Sequence, residues 1–193
     1  MNKEVVLETI VSYFGEEYKE DILNSLKRIK FNFVKENSGI NINDVQIYMG
    51  QEPICYKSGN ETHIILPESI LSDENANVLL MHSIMHSLGE ECLVIDGNEI
   101  FNEVVVDYYA NQLCKIMEKK KVNLVDVEFP KYSSSSQYAV YFPVVKEFCE
   151  QNKDKIIKSR LTGENNIAKD DILEMVSSLK KASYASSVKR SSR

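Results

Sequence analysis

Two histidines four residues apart, His82 and His86, constrain this chain more than any other feature. The chain has three histidines, and these two lie in a segment that is apolar on nearly every side. Such a segment predicts a helix that is buried nearly all round. Residues four apart lie on one face of a helix, so both imidazoles can reach the same point. Buried imidazoles need partners, which leaves two alternatives: a metal site, or a hydrogen-bonded pair in a core or cleft.

A second polar cluster opens the next predicted helix, residues 99–120. It contains Glu103 and, four residues later on the same face, Asp107. A zinc site with two helical histidines takes a further ligand from elsewhere in the fold, and a carboxylate suits zinc. Asp107 could accept the second ring N–H of His82 and fix the orientation of that ring. A solvent-facing carboxylate pair has the same spacing, but buried among valines these charges would need a partner. Together the two clusters favour a site for one zinc ion.

The two clusters resemble the sequence pattern of the gluzincins, the thermolysin-like branch of the zincin metallopeptidases. These proteins carry H-E-x-x-H on one helix and N-E-x-x-x-D on the next. His82-Ser83-Ile84-Met85-His86 matches the first motif except at its second position, and Asn102-Glu103-Val104-Val105-Val106-Asp107 matches the second throughout. The resemblance covers residues 45–118 and implies that His82, His86 and Glu103 bind zinc. It also implies that Asp107 and Asn102 lie behind these ligands.

Ser83 stands at the catalytic position where these peptidases have a glutamate. In the family, zinc polarises the scissile carbonyl and acidifies water, and the glutamate carries the proton to the leaving amine. Serine has neither a suitable pKa nor the reach for this work. We therefore expect a zinc metallopeptidase that is inactive as written. The chain is either a natural relative that lost its base or an active enzyme whose glutamate was replaced, and the otherwise complete site favours the second.

Three other interpretations of the same residues stay open. A metzincin-like alignment, continuing from His86 through Gly89, would make Cys92 the third ligand, but it leaves Glu103 and Asp107 unexplained and ranks lower. A catalytically dead zincin-fold protein could bind a peptide or protein partner, because binding needs no base. A helical scaffold whose histidines are core residues would hold no metal at all.

The pattern along the chain predicts an α+β fold, zincin-like by resemblance, in which a small antiparallel or mixed sheet packs on the histidine helix. One compact domain is expected over residues 1–181, with its zincin core at 45–118 and a disordered tail at 182–193. By the resemblance, the segment His63-Ile64-Ile65-Leu66 is the edge strand of the substrate cleft. Periodicity predicts helices at 3–14, 17–36, 73–88, 99–120, 138–159 and 166–181, with 1–37 and 138–181 as helical flanks, and strands at 45–49, 54–56 and 63–66.

Composition limits the classes of partner. The formal net charge is −6, which argues against a nucleic-acid partner. No segment approaches the roughly 18 apolar residues of a membrane span, and the N-terminus does not begin like a cleavable signal peptide. The four cysteines are widely spaced, which favours a reducing compartment. We therefore expect a cytoplasmic protein that acts on a protein or peptide substrate. Delivery into another cell's cytosol by a dedicated secretion system stays open.

Overall fold

The fold mixes helices with small sheets, as an α+β protein does. The computed structural model describes residues 1–50, 53–89, 99–133 and 136–191. Its helices are α1 (Lys3–Phe14), α2 (Lys19–Arg28), α3 (Ala76–Ser87), α4 (Glu99–Lys120), α5 (Phe142–Gln151), α6 (Lys153–Thr162) and α7 (Lys169–Ser191). Its strands are β1 (Ile29–Val34), β2 (Gly39–Ile42), β3 (Val45–Tyr48), β4 (Ile54–Ser58) and β5 (Glu61–Pro67). Short 3-10 helices lie at Glu16–Tyr18, Glu68–Ser72 and Gln137–Tyr141.

The chain divides into two compact units, and one domain over residues 1–181 stays a prediction. The first unit contains Met1–Gly89 and Tyr109–Ser134, and the second contains Glu90–Tyr108 and Ser135–Arg193. The described part of the second unit has a core of its own, in which Phe101 packs edge-on against Phe148 with ring centroids 5.4 Å apart. The second unit also contains fully buried side chains at Val145, Cys149, Ile156, Ile157 and Ile172. Periodicity shows which face of a helix is apolar but not which core it joins.

β5 is the central strand of a three-stranded sheet with the order β1-β5-β4. It pairs in parallel with β1 and antiparallel with β4. The β4–β5 pairs extend from Ile54↔Ile65 to Ser58↔Glu61. Gly59, with φ +60°, closes the tight β4–β5 turn. The prediction of an edge strand at His63-Ile64-Ile65-Leu66 is therefore wrong, because β1 occupies the other side of β5. The edge strand on the antiparallel side of the described sheet is β4.

The strand β1 replaces the second half of a predicted helix. The sequence predicts one helix over residues 17–36, but α2 ends at Arg28 and the chain continues extended. Lys3 of α1 donates from Nζ to the carbonyl oxygens of Leu26 (2.8 Å) and Ile29 (2.7 Å). A cation at the last carbonyls stabilises a helix end, so α1 fixes where α2 stops. The parallel ladder with β5 then supplies the hydrogen bonds that a longer helix would have made.

The histidine helix α3 starts later than predicted. Ser72 is not its N-cap, since Glu68–Ser72 forms a 3-10 helix and α3 begins at Ala76. Between them, Asp73 Oδ1 accepts a hydrogen bond of 2.7 Å from the backbone N–H of Asn75. This side chain-to-backbone bond stabilises a turn in place of the predicted first helical turn. α3 then packs against β4 and β5.

The C-terminal helices also differ from their predicted bounds. The predicted helix 138–159 is divided into a 3-10 turn, α5 and α6, with Asn152 between the last two. α7 continues through Ser191, into the segment 182–193 for which composition favours disorder. The helix predicted at 99–120 is confirmed as α4. Of the helices in the described ranges, none has the length and apolar character required to cross a membrane.

Candidate metal centre

The two histidines occupy the one open stripe of α3. Every residue of this helix is buried except Leu79, His82 and His86, which recur at positions i, i+3 and i+7. Leu79 is exposed, and both histidines are half-buried. The remaining faces carry the apolar side chains that anchor the helix, including Leu80, Met81, Ile84 and Met85, all with no exposed area. The imidazoles are therefore held on a rigid helix yet remain within reach of solvent and small ligands.

The imidazole rings converge, and a carboxylate from α4 joins them. The Nε2 atoms of His82 and His86 lie 3.1 Å apart. With Glu103, they form a half-buried group whose three potential ligand atoms all lie within 4.8 Å of one another. Two zinc–nitrogen bonds at a tetrahedral angle place their nitrogens about 3.4 Å apart. The observed separation is close to that value, and it also suits a hydrogen bond between the rings. His82, His86 and Glu103 could thus hold a metal ion.

The start of α3 is fixed by a buried asparagine that the sequence patterns do not single out. Asn77 has no exposed area and donates from Nδ2 to Asn123 Oδ1 at 3.0 Å. Its Oδ1 accepts a 2.9 Å bond from the backbone N–H of Leu124. Both partners follow the end of α4 in the first unit. A buried amide satisfied on both sides holds the histidine helix in one position, which a preformed metal site requires.

Ser83, which stands where the resemblance predicts a catalytic glutamate, is packed within α3. Its side chain is buried, and Oγ donates to the carbonyl oxygen of Leu79 at 3.0 Å, within the same helix. Its own carbonyl oxygen accepts a bond from Ser87 Oγ (2.8 Å), and Cys55 Sγ of β4 lies 3.8 Å away. A neutral hydroxyl is too weak a base to take a proton from water at neutral pH, and this one donates its own proton to the helix backbone. The side chain of Ser83 is therefore buried and hydrogen-bonded within its own helix.

The predicted residues behind the ligands are both buried. Asp107 is 3% exposed and lies four residues after Glu103 on α4, and its predicted bond to His82 stays a prediction. Asn102 is 2% exposed, and its Oδ1 accepts a 2.7 Å hydrogen bond from Nη2 of Arg160. Arg160 lies on α6, and no motif in the sequence pointed to it. Cys92, the alternative ligand, falls in 90–98 and lies outside the described residues.

The first half of α4 is fixed by a further polar contact. Tyr108 donates from its hydroxyl to Glu150 Oε1 of α5 at 2.6 Å. Burial raises the pKa of Tyr108 well above its usual value. The hydrogen bond to Glu150 and the negative charge of Glu150 raise it further. The phenol therefore stays protonated and keeps donating throughout the physiological range.

No protein-family model, curated protein or solved structure matches this chain. The functional argument consequently rests on the geometry of the site and on the chemistry of its residues.

Proposed function

We propose that this protein binds one zinc ion through His82, His86 and Glu103 and is a zinc metallopeptidase by type. The observation that carries the proposal is the convergence of the three ligand atoms within 4.8 Å, from two separate helices. Two imidazoles and one carboxylate are the ligand set of a catalytic rather than a purely structural zinc site, because they leave a coordination position for water or substrate. Hydrolysis of a protein or peptide is the activity that such a site would serve.

Zinc bound there would polarise a carbonyl oxygen and lower the pKa of bound water. The chain's own residues supply the rest. His82 and His86 direct Nε2 toward a common point, and Glu103 contributes a negative charge beside them. Asp107, buried one helical turn along, would orient an imidazole. Ser83 cannot take a proton from water, so no general base stands at this position. We therefore expect the chain as written to have no peptidase activity.

In this proposal, an extended substrate binds along the strand β4. It lies at the end of the described sheet and packs beside α3, with Cys55 against the helix backbone near Ser83. An extended peptide can add to a sheet edge through main-chain hydrogen bonds. Half-buried and exposed residues alternate along β4, so this strand has one packed face and one open face. Such binding would not depend on a base.

Elemental analysis of the purified chain tests the zinc proposal. We expect about one zinc per chain, because three convergent ligands suffice for a catalytic-type site. His86→Ala should lose the metal. The matched control is His63→Gln, which removes the remaining histidine, a β5 residue outside the metal-binding group. A parent chain without zinc after incubation with an equimolar zinc salt would contradict the proposal, as would equal zinc in the parent and His86→Ala.

A further inference from the structure

Arg160 is a fully buried arginine in α6, with no exposed area. Removing a guanidinium from water is costly unless its charge and N–H groups are compensated. One compensating contact is the bond from Nη2 to Asn102 Oδ1, and at 2.7 Å it has the short length of a charge-assisted hydrogen bond. Both side chains belong to the second unit, and both are buried. A contact of this kind has little freedom to rearrange.

The acceptor of this bond immediately precedes the proposed zinc ligand Glu103. α4 begins at Glu99, so Asn102 lies in its first turn, and the ends of helices fray. Among the contacts that hold this segment to the following helices are Asn102 with Arg160 of α6 and Phe101 with Phe148 of α5. The Arg160 contact acts on the residue adjacent to the ligand. Loosening it would let the carboxylate of Glu103 sample positions away from the histidines.

We propose that Arg160 is a positioning residue that holds Glu103 ready for metal through Asn102. The inference rests on the proposed zinc site and deepens it, because it assigns a task to the C-terminal helical flank. A ligand held in place before binding gives up little freedom when the ion arrives, whereas a mobile ligand must be ordered at that moment. α6 therefore contributes to zinc affinity without contacting the ion.

The test is a zinc-affinity measurement by competition with a chromophoric chelator, with thermal unfolding of each metal-free protein recorded alongside. Arg160→Met keeps much of the side-chain volume but removes the donors, and we expect it to weaken zinc binding about 10–100-fold, the usual cost of losing a partner behind a ligand. The matched control is Ile157→Ala, a buried residue one turn earlier on α6. It should lower the unfolding temperature while leaving zinc affinity within about twofold of the parent's, because it does not act through Asn102.

A double-mutant cycle separates positioning from general destabilisation. If Arg160 acts through Glu103, Arg160→Met should cost little further affinity in a Glu103→Ala background. A folded Arg160→Met protein with the parent's affinity would overturn the inference alone, as would full additivity with Glu103→Ala. Absence of zinc binding in the parent would overturn the proposed function as well. If Arg160→Met does not fold, Asn102→Ala, which removes the acceptor of this bond, replaces it, and an affinity equal to the parent's would then overturn the inference.

Discussion

Replacing Glu103 with alanine is expected to weaken zinc binding by more than about 100-fold, since even a residue behind a ligand is worth about 10–100-fold. The change leaves two imidazoles, whose Nε2 atoms lie 3.1 Å apart, without the carboxylate that neutralises part of the ion's charge. Zinc affinity measured by chelator competition would show the loss. Glu103→Gln should recover only part of it, because an amide oxygen retains the shape but not the charge of the carboxylate.

The matched control for Glu103→Ala is Glu118→Ala on the same helix. Glu118 is exposed in the last turn of α4 and is not part of the metal-binding group. Its loss changes the net charge by the same amount and should leave zinc affinity unchanged. If Glu103→Ala and Glu118→Ala have equal effects, the carboxylate of Glu103 acts through the overall field of the protein and is not a ligand.

Replacing Ser83 with glutamate is expected to create peptidase activity in the zinc-loaded chain. A positioned general base contributes about 10²–10⁴-fold to a hydrolytic rate, and the rest of the predicted site is already present. The assay would follow cleavage of fluorescently labelled casein and of a pool of internally quenched peptides. Activity should disappear with a zinc chelator and return when zinc is restored.

Ser83→Gln is the control that isolates the base. Ser83 is buried, so either larger side chain strains the packing around α3, at a cost of about 1–3 kcal/mol in the free energy of unfolding. Glutamine introduces the same volume without an ionisable group. We expect activity in Ser83→Glu only. A folded, zinc-loaded Ser83→Glu chain that cleaves nothing would contradict the peptidase assignment and favour the role of a peptide-binding protein.

The local elements of the site could be predicted from sequence because their signals are local. The apolar run around His82 and His86 predicted a helix that is buried nearly all round, and α3 is buried on all but one stripe. The bounds of α4 were likewise predicted. Its contact with Arg160 was not, since that bond joins residues 58 positions apart and Arg160 has no local pattern that separates it from a surface arginine. The role of Asn77 is not predictable for the same reason, since its partners lie 46 and 47 positions away.

In the sheet, a local pattern predicts the wrong element because a distant strand decides the structure. Apolar residues at Ile22, Leu26, Ile29 and Phe33 have helical spacing, yet β1 occupies the second half of that segment because it pairs with β5, far along the chain. This non-local pairing makes β5 a central strand. One local signal did point that way: Ile64, Ile65 and Leu66 form a continuous apolar run, which is typical of a strand buried on both faces. The edge-strand prediction follows from the family resemblance, whereas this run indicates a central strand.

X-ray absorption at the zinc K edge of the zinc-loaded parent chain would test the ligand set most directly. The account predicts two imidazole nitrogens and oxygen donors, with all atoms that coordinate the zinc at about 2.0–2.2 Å and no sulfur. Glu103→Ala should lose or change an oxygen donor and keep the imidazole signal of any zinc that remains. A sulfur scatterer at about 2.3 Å would show a cysteine ligand, as the alignment through Cys92 implies. That result would contradict the assignment of His82, His86 and Glu103 as the zinc site.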